Sequence, residues 1–407
     1  MPVELSGLKE LNESAAARAA PLPVVVVEGT LNGLGVVRSL AHGRMPIYLL
    51  DTTARCAARW SRHCHFVRAA ALSGRPLIDT LVRLGRQLAC RPVLILTGDE
   101  SVNCVSDSRE QIEPLYRISL PEADMLRSLA DKALFHRLAE REGFAVPRSV
   151  CLYSRAELEQ LDSLTGPLVV KPADKTLVLH GTVERAVRAA NAAEARRAAA
   201  RMLVSARAVI VQEWVDGPDT DIYFTLFSCD RAGELRGMFV GRKLVCSPPA
   251  IGSTAVCVAA PEVARQLVTA TEQFIARIGY RGLGSLEFKF DRGRGRFLII
   301  EPTVGRTDWQ EELATLCGVN LPLLTYYSEL QQPLPRPQPS AGVVAWRQSA
   351  GFRSPLTAGS HVVDGFFRWS DPLPGLYYYL FEGTVVRLWK KASGAASGLT
   401  AFARGSA

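Results

Sequence analysis

The stretch SLEFKFDRGRGRFLIIEPTVGR, residues 285–306, decides the fold. Its first six residues alternate polar and apolar side chains, and FLIIE at 297–301 is mostly apolar, so both are predicted to be β-strands. The glycine-bearing residues 291–295 between them are predicted to form the turn. We therefore expect the two strands to pair as an antiparallel hairpin.

The hairpin register places one glutamate opposite another. Glu287 then faces Glu301, and the apolar cross-strand pairs are Phe288 with Ile300 and Phe290 with Leu298. Two carboxylates that close repel each other unless a cation lies between them. An all-oxygen site with phosphate nearby suits Mg²⁺, with Mn²⁺ as the alternative ion. The alternative interpretation is two unrelated glutamates on a solvated sheet face.

The composition indicates a globular chain with an anionic small-molecule partner. The 407 residues suffice for two or three units, each with its own core. The net charge is +8, but the 48 basic and 40 acidic residues are interspersed, without the dense Lys/Arg block of a nucleic-acid-binding tail. We therefore predict a phosphate-bearing small molecule as the partner rather than DNA or RNA.

Cysteine usage and the first residues predict a cytoplasmic protein without a membrane span. The nine cysteines are odd in number, widely spread and contain no CxxC pair, which favours reduced thiols over disulfides or a zinc site. The first twenty residues carry three glutamates and lack the apolar core of a signal peptide. No run approaches the ~18 apolar residues that a membrane-spanning helix needs.

Residues 22–122 are predicted to form a first α/β domain of the Rossmann-like type, after a flexible lead at 1–21. VVVV at 24–27 is a buried strand, followed by a glycine-bearing loop, a helix and a second strand ending at Asp51, which together make a βαβ unit. The loop is not a GxGxxG, so a dinucleotide site with Asp51 on the ribose is the less favoured alternative.

Residues 123–331 are predicted to form a second α/β domain. Its first helix is expected to carry one apolar stripe made of Leu126, Leu129, Leu134 and Leu138. The Pro-rich QQPLPRPQPS at 331–340 indicates a linker, so residues 332–407 are expected to be a C-terminal extension. Its aromatic-rich stretch GFFRWSDPLPGLYYYLFEG is expected to cover the site, to form a homodimer contact or, as is more common for such an apolar cluster, to belong to a core.

Several basic residues are placed to hold phosphate. Lys171 closes the apolar strand PLVVK, so its ammonium leaves the end of a buried strand at a fixed position. Arg242 and Lys243 in GRKL supply two adjacent cations for polyphosphate oxygens, and Arg306 follows the second glutamate by five positions. Each of these residues alone is more often a solvated cation, and only their combination with the paired glutamates predicts a phosphate site.

The segment VQEWVDG is a candidate purine site. Here a buried strand leads into Gln212, Glu213, Trp214 and Val215 and breaks at a Gly-Pro pair. A segment that leaves a sheet in this way offers backbone N–H and C=O groups to a purine edge, with apolar side chains around the ring.

Six motifs in this order resemble the ATP-grasp superfamily. They are Lys132 in DKALFHRLAEREGFAVP, Lys171 in VVKP, residues 212–215 in VQEWVDG, Arg242 and Lys243 in GRKL, Glu287 in GSLEFKFD, and residues 301–306 in EPTVGR. The match spans residues 123–331, and the first domain resembles the one that commonly precedes an ATP-grasp fold. The likeness is to the carboxylate–amine ligase branch, which includes D-aspartate ligase-like and carbamoyl-phosphate-synthase-like proteins.

The resemblance implies two α+β subdomains that clasp ATP, with a small lid subdomain at about residues 166–240. It implies that the phosphates are bound by Lys132 and Lys171, adenine is flanked by Gln212, Glu213, Trp214 and Val215, and the ribose is held by Asp219 or Asp221. It also implies that Mg²⁺ is bound by Glu287 and Glu301, with Thr303 at the position of a further metal ligand. It further implies that Arg306, Arg242 and Lys243 are the catalytic cations.

Two departures from the family pattern concern the same site. Family members usually have Asn where Thr303 stands, and a hydroxyl is a weaker metal ligand. The loop after Lys171, ADKTLVLHGT, carries only Gly181 where the family loop is rich in glycine, with Lys175 or His180 as substitutes for its contacts.

The sequence therefore predicts an ATP-dependent ligase that joins a carboxylate to an amine through an acyl phosphate. One alternative is a catalytically weak ATP-binding protein with a regulatory or scaffold role, and another is a nicotinamide-dependent oxidoreductase using the first domain. The predicted partners are small-molecule carboxylate and amine substrates. Their candidate contacts are Asp99, Glu100, Ser101, Arg306, Asp308 and Trp309.

Overall fold

The computed structural model describes residues 21–53, 56–173, 184, 186–336, 344–353 and 361–382. Nearly all of the predicted lead, and both Lys175 and His180, lie outside these ranges. The described residues form three β-sheets of four, seven and four strands with helices between them, a mixed α/β fold. No helix in this part of the chain is long and apolar enough to cross a membrane.

The first sheet is parallel and has the strand order β3-β2-β1-β4. Its strands are β1 (Val24–Val27), β2 (Ile47–Asp51), β3 (His65–Arg68) and β4 (Val93–Leu96). The helices around it are α1 (Leu31–Ala41), α2 (Gly74–Leu88), α3 (Asp99–Asp107) and α4 (Arg109–Ile112). All four valines of β1 are fully buried, as a parallel strand covered on both faces requires. The Rossmann-like assignment of this domain stays a prediction.

The helical stretch that follows is two helices rather than one. They are α5 (Ala123–Ala130) and α6 (Lys132–Arg141). Asp131 between them has an extended backbone, and its carboxylate accepts hydrogen bonds from the N–H groups of Ala133 and Leu134, which makes it the N-cap of α6. The predicted single apolar stripe is therefore wrong at Leu134, which is 41% exposed.

The small sheet has the strand order β5-β8-β6-β7, with β7 at one edge. Its elements are β5 (Ser149–Leu152), β6 (Leu168–Pro172), β7 (Val187–Ala189), α7 (Ala192–Met202) and β8 (Val209–Glu213). The alanine face of α7 packs on this sheet in a separate hydrophobic core. The sheet ends at Glu213, whereas the predicted lid extended to about residue 240 and therefore included one strand of the large sheet, Ile222–Cys229, and the start of a second, Leu235–Ser247.

The large sheet has the strand order β13-β12-β9-β10-β11-β14-β15. Its strands are β9 (Ile222–Cys229), β10 (Leu235–Ser247), β11 (Ser253–Ala259), β12 (Gly282–Asp291), β13 (Arg296–Val304), β14 (Val344–Arg347) and β15 (His361–Asp364). The helices are α8 (Ala264–Ile278), α9 (Glu311–Leu316), α10 (Leu321–Glu329) and α11 (Leu373–Tyr377). Strands β14 and β15 show that the region after residue 332 is built into the main fold.

The predicted glutamate hairpin is β12 and β13, and Glu287 lies opposite Glu301 as expected. The two predicted apolar pairs are wrong by one position, because a β-bulge follows the glutamates. Phe288 pairs with Ile299 and Phe290 pairs with Phe297, which leaves Ile300 as the extra residue. The bulge buries Ile299 beside Phe288 and leaves Ile300 at the wall of the central cleft.

Helix α9 packs against α1 through a buried carboxylate. Glu311 is 1% exposed and accepts hydrogen bonds from the hydroxyls of Ser39, at 3.1 Å, and Thr315, at 2.9 Å. Burial raises the pKa of Glu311 from its usual 4.5 to about 8. The folded chain therefore keeps a proton on this group that the unfolded chain has already lost.

This proton predicts a specific pH dependence of stability. Because the pKa is raised in the folded state, the contribution of Glu311 is most favourable below pH ~4.5 and declines between pH ~4.5 and ~8, by up to about 1.4 kcal/mol per pH unit. Glu311→Gln should therefore gain stability relative to the wild type as the pH rises through this window. Urea midpoints at pH 5, 6.5 and 8 measure the difference, and parallel pH profiles for the two proteins would refute the assignment.

Candidate nucleotide and metal site

A cleft of about 330 Å³ lies between the small and large sheets. It is lined by residues from β6, β8, β10, β12 and β13 and by the start of α6. The residues predicted from the sequence that line it are Lys132, Lys171, Gln212, Glu213, Trp214, Val215, Lys243, Glu287, Glu301, Thr303 and Arg306. Side chains that are far apart in the sequence thus surround one volume.

The paired carboxylates are each faced by a lysine. The Lys243 ammonium lies 2.5 Å from Glu287 Oε2, and the Lys132 ammonium lies 3.4 Å from Glu301 Oε2. Lys243 is buried, which opposes its charge, but the neighbouring Glu287 carboxylate outweighs burial and holds the pKa of the lysine above its usual value. The site thus contains two carboxylate–ammonium pairs.

The donor set fits a magnesium ion that shares its coordination with a nucleotide. Glu287, Glu301 and Thr303 carry oxygen donors on the cleft face of one hairpin. Among the described residues, no cluster of three or more His, Cys, Asp or Glu side chains could hold a metal ion by itself. Mg²⁺ in phosphate-transfer sites is commonly held by one or two carboxylates, with phosphate oxygens and water completing the shell. Two carboxylates and one hydroxyl meet that requirement.

Lys171 lies at the end of β6, as its position in the sequence predicts. Its ammonium donates to the side-chain oxygen of Gln212 on β8, at 3.3 Å. The Gln212 amide nitrogen in turn donates to the hydroxyl of Ser149, at 3.1 Å. Lys171 and Gln212 are therefore held side by side on the small sheet where it lines the cleft.

The purine-site segment begins where β8 ends. The Trp214 N–H donates to the Pro167 carbonyl, at 2.9 Å, and the Arg188 guanidinium lies 4.7 Å from the centre of the indole ring. Val215 follows and lines the cleft with Trp214. These contacts hold the segment in place between the two sheets.

Arg306 lies at the end of the cleft that adjoins the first sheet. Its Nε donates to Asp99 Oδ1, at 2.6 Å, and its Nη1 donates to the Thr307 carbonyl, at 2.9 Å. Burial opposes the charge of Arg306, but Asp99 and Asp308 outweigh it and raise the pKa of the guanidinium above its usual value. Asp99, Asp308 and Trp309 also line this end, whereas the predicted contacts Glu100 and Ser101 are not among the lining residues.

Arg242 lies away from the cleft, which corrects the prediction of two adjacent cations at one site. Consecutive residues of a strand point to opposite faces, and Lys243 takes the cleft face. Arg242 instead pairs with Glu262, at 3.5 Å, and its guanidinium lies 5.9 Å from the centre of the Tyr223 ring.

The two candidate ribose carboxylates both have protein partners. Asp219 accepts hydrogen bonds from the N–H groups of Cys246, at 2.7 Å, and Ala250, at 2.8 Å. Asp221 accepts two hydrogen bonds from Arg292, at 2.6 and 2.9 Å. Neither aspartate is among the residues that line the cleft. Their contact with a ribose stays a prediction.

The alternative dinucleotide site is occupied by the protein's own backbone. The Asp51 carboxylate accepts hydrogen bonds from the N–H of Gly29, at 2.6 Å, and from the N–H of Thr53, at 3.1 Å. Both of its oxygens are thus used to shape the loop after β1. This arrangement favours a structural role for Asp51 in the turn after β1 over a nicotinamide site.

Sequence reasoning missed several residues of the cleft. Lys289 follows Glu287 by two positions, so the alternation of the strand places both on one face, and this spacing could have identified it. Ser253, Thr254 and Gln310 line the cleft as well, but no pattern in the sequence distinguishes them from ordinary loop and strand residues.

Comparison with known proteins agrees with this architecture, although no protein-family model matches the chain. The chain is 21% identical over 318 residues to the D-aspartate ligase of Enterococcus faecium (strain Aus0004), a match that covers 73% of this chain and 74% of that protein.

Solved structures with the same fold include a synthetase and a carboxylase domain. The N5-carboxyaminoimidazole ribonucleotide synthetase of Thermus thermophilus is 15% identical with a TM-score of 0.61, covering 82% of this chain and 84% of its own. The biotin carboxylase domain of the Hydrogenobacter thermophilus 2-oxoglutarate carboxylase, solved with MgADP and bicarbonate, is 14% identical with a TM-score of 0.61, covering 79% and 73%. The chain therefore has the ATP-grasp fold, and the predicted resemblance to the carboxylate–amine ligase branch is confirmed.

Proposed function

We propose that this protein is an ATP-dependent ligase that joins a carboxylate to an amine through an acyl phosphate and releases ADP and phosphate. The observation that carries the proposal is the pairing of Glu287 with Glu301 in a cleft where each carboxylate faces a lysine. Opposed carboxylates with cations around them suit a metal-bound polyphosphate. The similarity to D-aspartate ligase supports the same class of reaction.

Different residues of the cleft bind the phosphates, the adenine and the metal ion. Lys132, Lys171 and Lys243 bind the phosphates, while the segment from Gln212 to Val215 flanks the adenine. Glu287 and Glu301 would hold Mg²⁺ together with Thr303, which follows Glu301 by two positions on β13. When bound there, the ion would supply positive charge that neutralises the transferred phosphoryl group. MgADP in a structure of the same fold supports this choice of nucleotide and metal.

Arg306 serves the acceptor end of the cleft. Its guanidinium is fixed by Asp99 and Asp308, so it presents positive charge at a constant position near the glutamate hairpin. A carboxylate substrate bound there is aligned for attack on the terminal phosphoryl group. The product is a mixed anhydride, a far better electrophile than a carboxylate, and an amine then displaces phosphate. Orientation of the two reactants is the main catalytic contribution of these residues.

The second candidate function is a catalytically weak ATP-binding protein with a regulatory or scaffold role. Thr303 favours it, because this residue faces the cleft where the family carries an Asn ligand. A weaker metal site retains nucleotide binding while slowing phosphoryl transfer.

The test is substrate-dependent ADP release. The full chain with ATP and Mg²⁺ is assayed against pools of carboxylates and amines, separately and together, and hydroxylamine replaces the amine in a parallel series. We expect ADP release above background only with a carboxylate present, and a hydroxamate when hydroxylamine traps the acyl phosphate. ATP binding without any stimulation across the pools would instead support the regulatory candidate.

A further inference from the structure

The tip of the glutamate hairpin contacts the segment that joins the two subdomains at three places. This connecting segment, residues 213–221, runs from the end of β8 in the small sheet to the start of β9 in the large sheet. The three contacts are made by basic residues of one hairpin, Lys289, Arg292 and Arg294. Hydrogen bonds thus link the hairpin that carries Glu287 and Glu301 to the segment that follows the purine-site residues.

Lys289 makes the central contact. Its ammonium donates to the carbonyls of Gly217, at 2.9 Å, and Pro218, at 2.8 Å, and the residue is only 7% exposed. These carbonyls follow Trp214 and Val215 by a few residues, and Lys289 follows Glu287 by two on the cleft face of β12. The Lys289 side chain therefore connects β12, which carries the metal ligand Glu287, to the turn at Gly217 and Pro218 that follows the purine-site residues.

Arg294 and Arg292 hold the two ends of the connecting segment. Arg294 donates to Glu213, at 2.5 Å, and Arg292 forms the two-pronged pair with Asp221. Gly217 has φ +134°, and a Cβ there would overlap the Asp221 carboxylate, so the turn can close over Asp221 only with glycine. The segment is thus fixed at its start, middle and end.

We propose that Lys289 is a positioning residue for the nucleotide: it fixes the turn at Gly217 and Pro218 so that Trp214 and Val215 flank the base while the phosphates lie at the glutamate hairpin. This inference rests on the proposed nucleotide site. It assigns Lys289 to the base rather than to the phosphates, because its donors are directed at backbone carbonyls of the connecting segment.

The test compares binding of MgATP with binding of magnesium tripolyphosphate, which lacks the base and the ribose, by titration calorimetry. Lys289→Met removes the ammonium that donates to both the Gly217 and the Pro218 carbonyls, while the Asp221 N–H still donates to Pro218, at 3.0 Å, so we expect ATP affinity to fall by about 10-fold. Tripolyphosphate affinity should change by less than about threefold, since Lys132 and Lys243 are untouched. A general loss of folding would lower both affinities together. Arg281→Met, which removes a pair with Glu122 outside the cleft, is the matched control and should change neither affinity.

Arg294→Met provides a second variant if Lys289→Met fails to fold, and it should lower ATP affinity selectively but by less, because Arg294 is partly exposed. Equal losses for ATP and tripolyphosphate in a folded Lys289→Met protein would overturn the inference, since Lys289 would then act on the phosphates. Unchanged ATP affinity would overturn it as well. Failure of the wild type to bind ATP would instead overturn the proposed function, and this inference with it.

Discussion

Replacing Glu301 by Gln should lower ADP release by about 10³-fold while leaving the fold intact. The amide keeps the size of the side chain but carries no negative charge for the metal ion. Glu301 is partly exposed, and its ion pair with Lys132 is 3.4 Å long, so the loss of this pair has little effect on stability. The measurement uses the carboxylate and amine that stimulate the wild type, with thermal unfolding of both proteins recorded alongside.

Glu262→Gln is the matched control for this prediction. Glu262 is also a partly exposed glutamate that pairs with a basic residue, Arg242, but away from the cleft. The control should retain wild-type ADP release. Undiminished activity in Glu301→Gln would refute the metal assignment, and equal losses in both variants would point to a general effect of charge.

Replacing Arg38 by Met should lower the free energy of unfolding by about 3–5 kcal/mol. The buried Arg38 guanidinium donates to Asp371 Oδ2, at 3.1 Å, and to the carbonyls of Gly365, at 2.8 Å, and Phe366, at 2.7 Å. Its Nη1 also lies 3.5 Å from Glu312. Methionine fills the space but leaves Asp371, which is 2% exposed, with one cation fewer in a region without access to water.

The Arg38 prediction is measured as the shift of the urea midpoint. Arg75→Met is the control, because Arg75 pairs with Asp79 on the surface of α2 and is 90% exposed. That change should cost less than about 0.5 kcal/mol. A midpoint for Arg38→Met as close to the wild type as the control's would mean that residues 361–382 contribute little to the stability of the main fold.

Local pattern was sufficient to predict the central hairpin. The period of two in SLEFKF fixed which face Glu287 occupies, and the apolar run ending at Glu301 fixed its partner. The bulge at Ile300 could not be predicted from the hairpin's sequence. The neighbouring Ile299 N–H donates to the carbonyl of Ala145, at 2.7 Å, in a distant part of the chain. A contact between residues 145 and 299 leaves no trace in the hairpin's own sequence.

Two errors of prediction have different physical origins. The strand alternation that located Glu287 also separates Arg242 from Lys243, so the sequence contained the information to exclude Arg242. The C-terminal strands are another case. β14 pairs antiparallel with β11 and parallel with β15, and such non-local pairing is decided by tertiary contacts that composition does not encode. The Pro-rich stretch before these strands therefore indicated a linker to an appended region. In the structure, the chain instead returns to the large sheet after this stretch.

The central claim is that Glu287 and Glu301 hold a metal ion on the phosphates of ATP. Its most direct test is a crystal structure with Mn²⁺ and a non-hydrolysable ATP analogue, read for anomalous scattering from the manganese. We predict a peak within coordination distance, about 2.0–2.3 Å, of oxygens from both glutamates and from the phosphates. A nucleotide bound in the cleft whose metal contacts neither carboxylate would contradict the account.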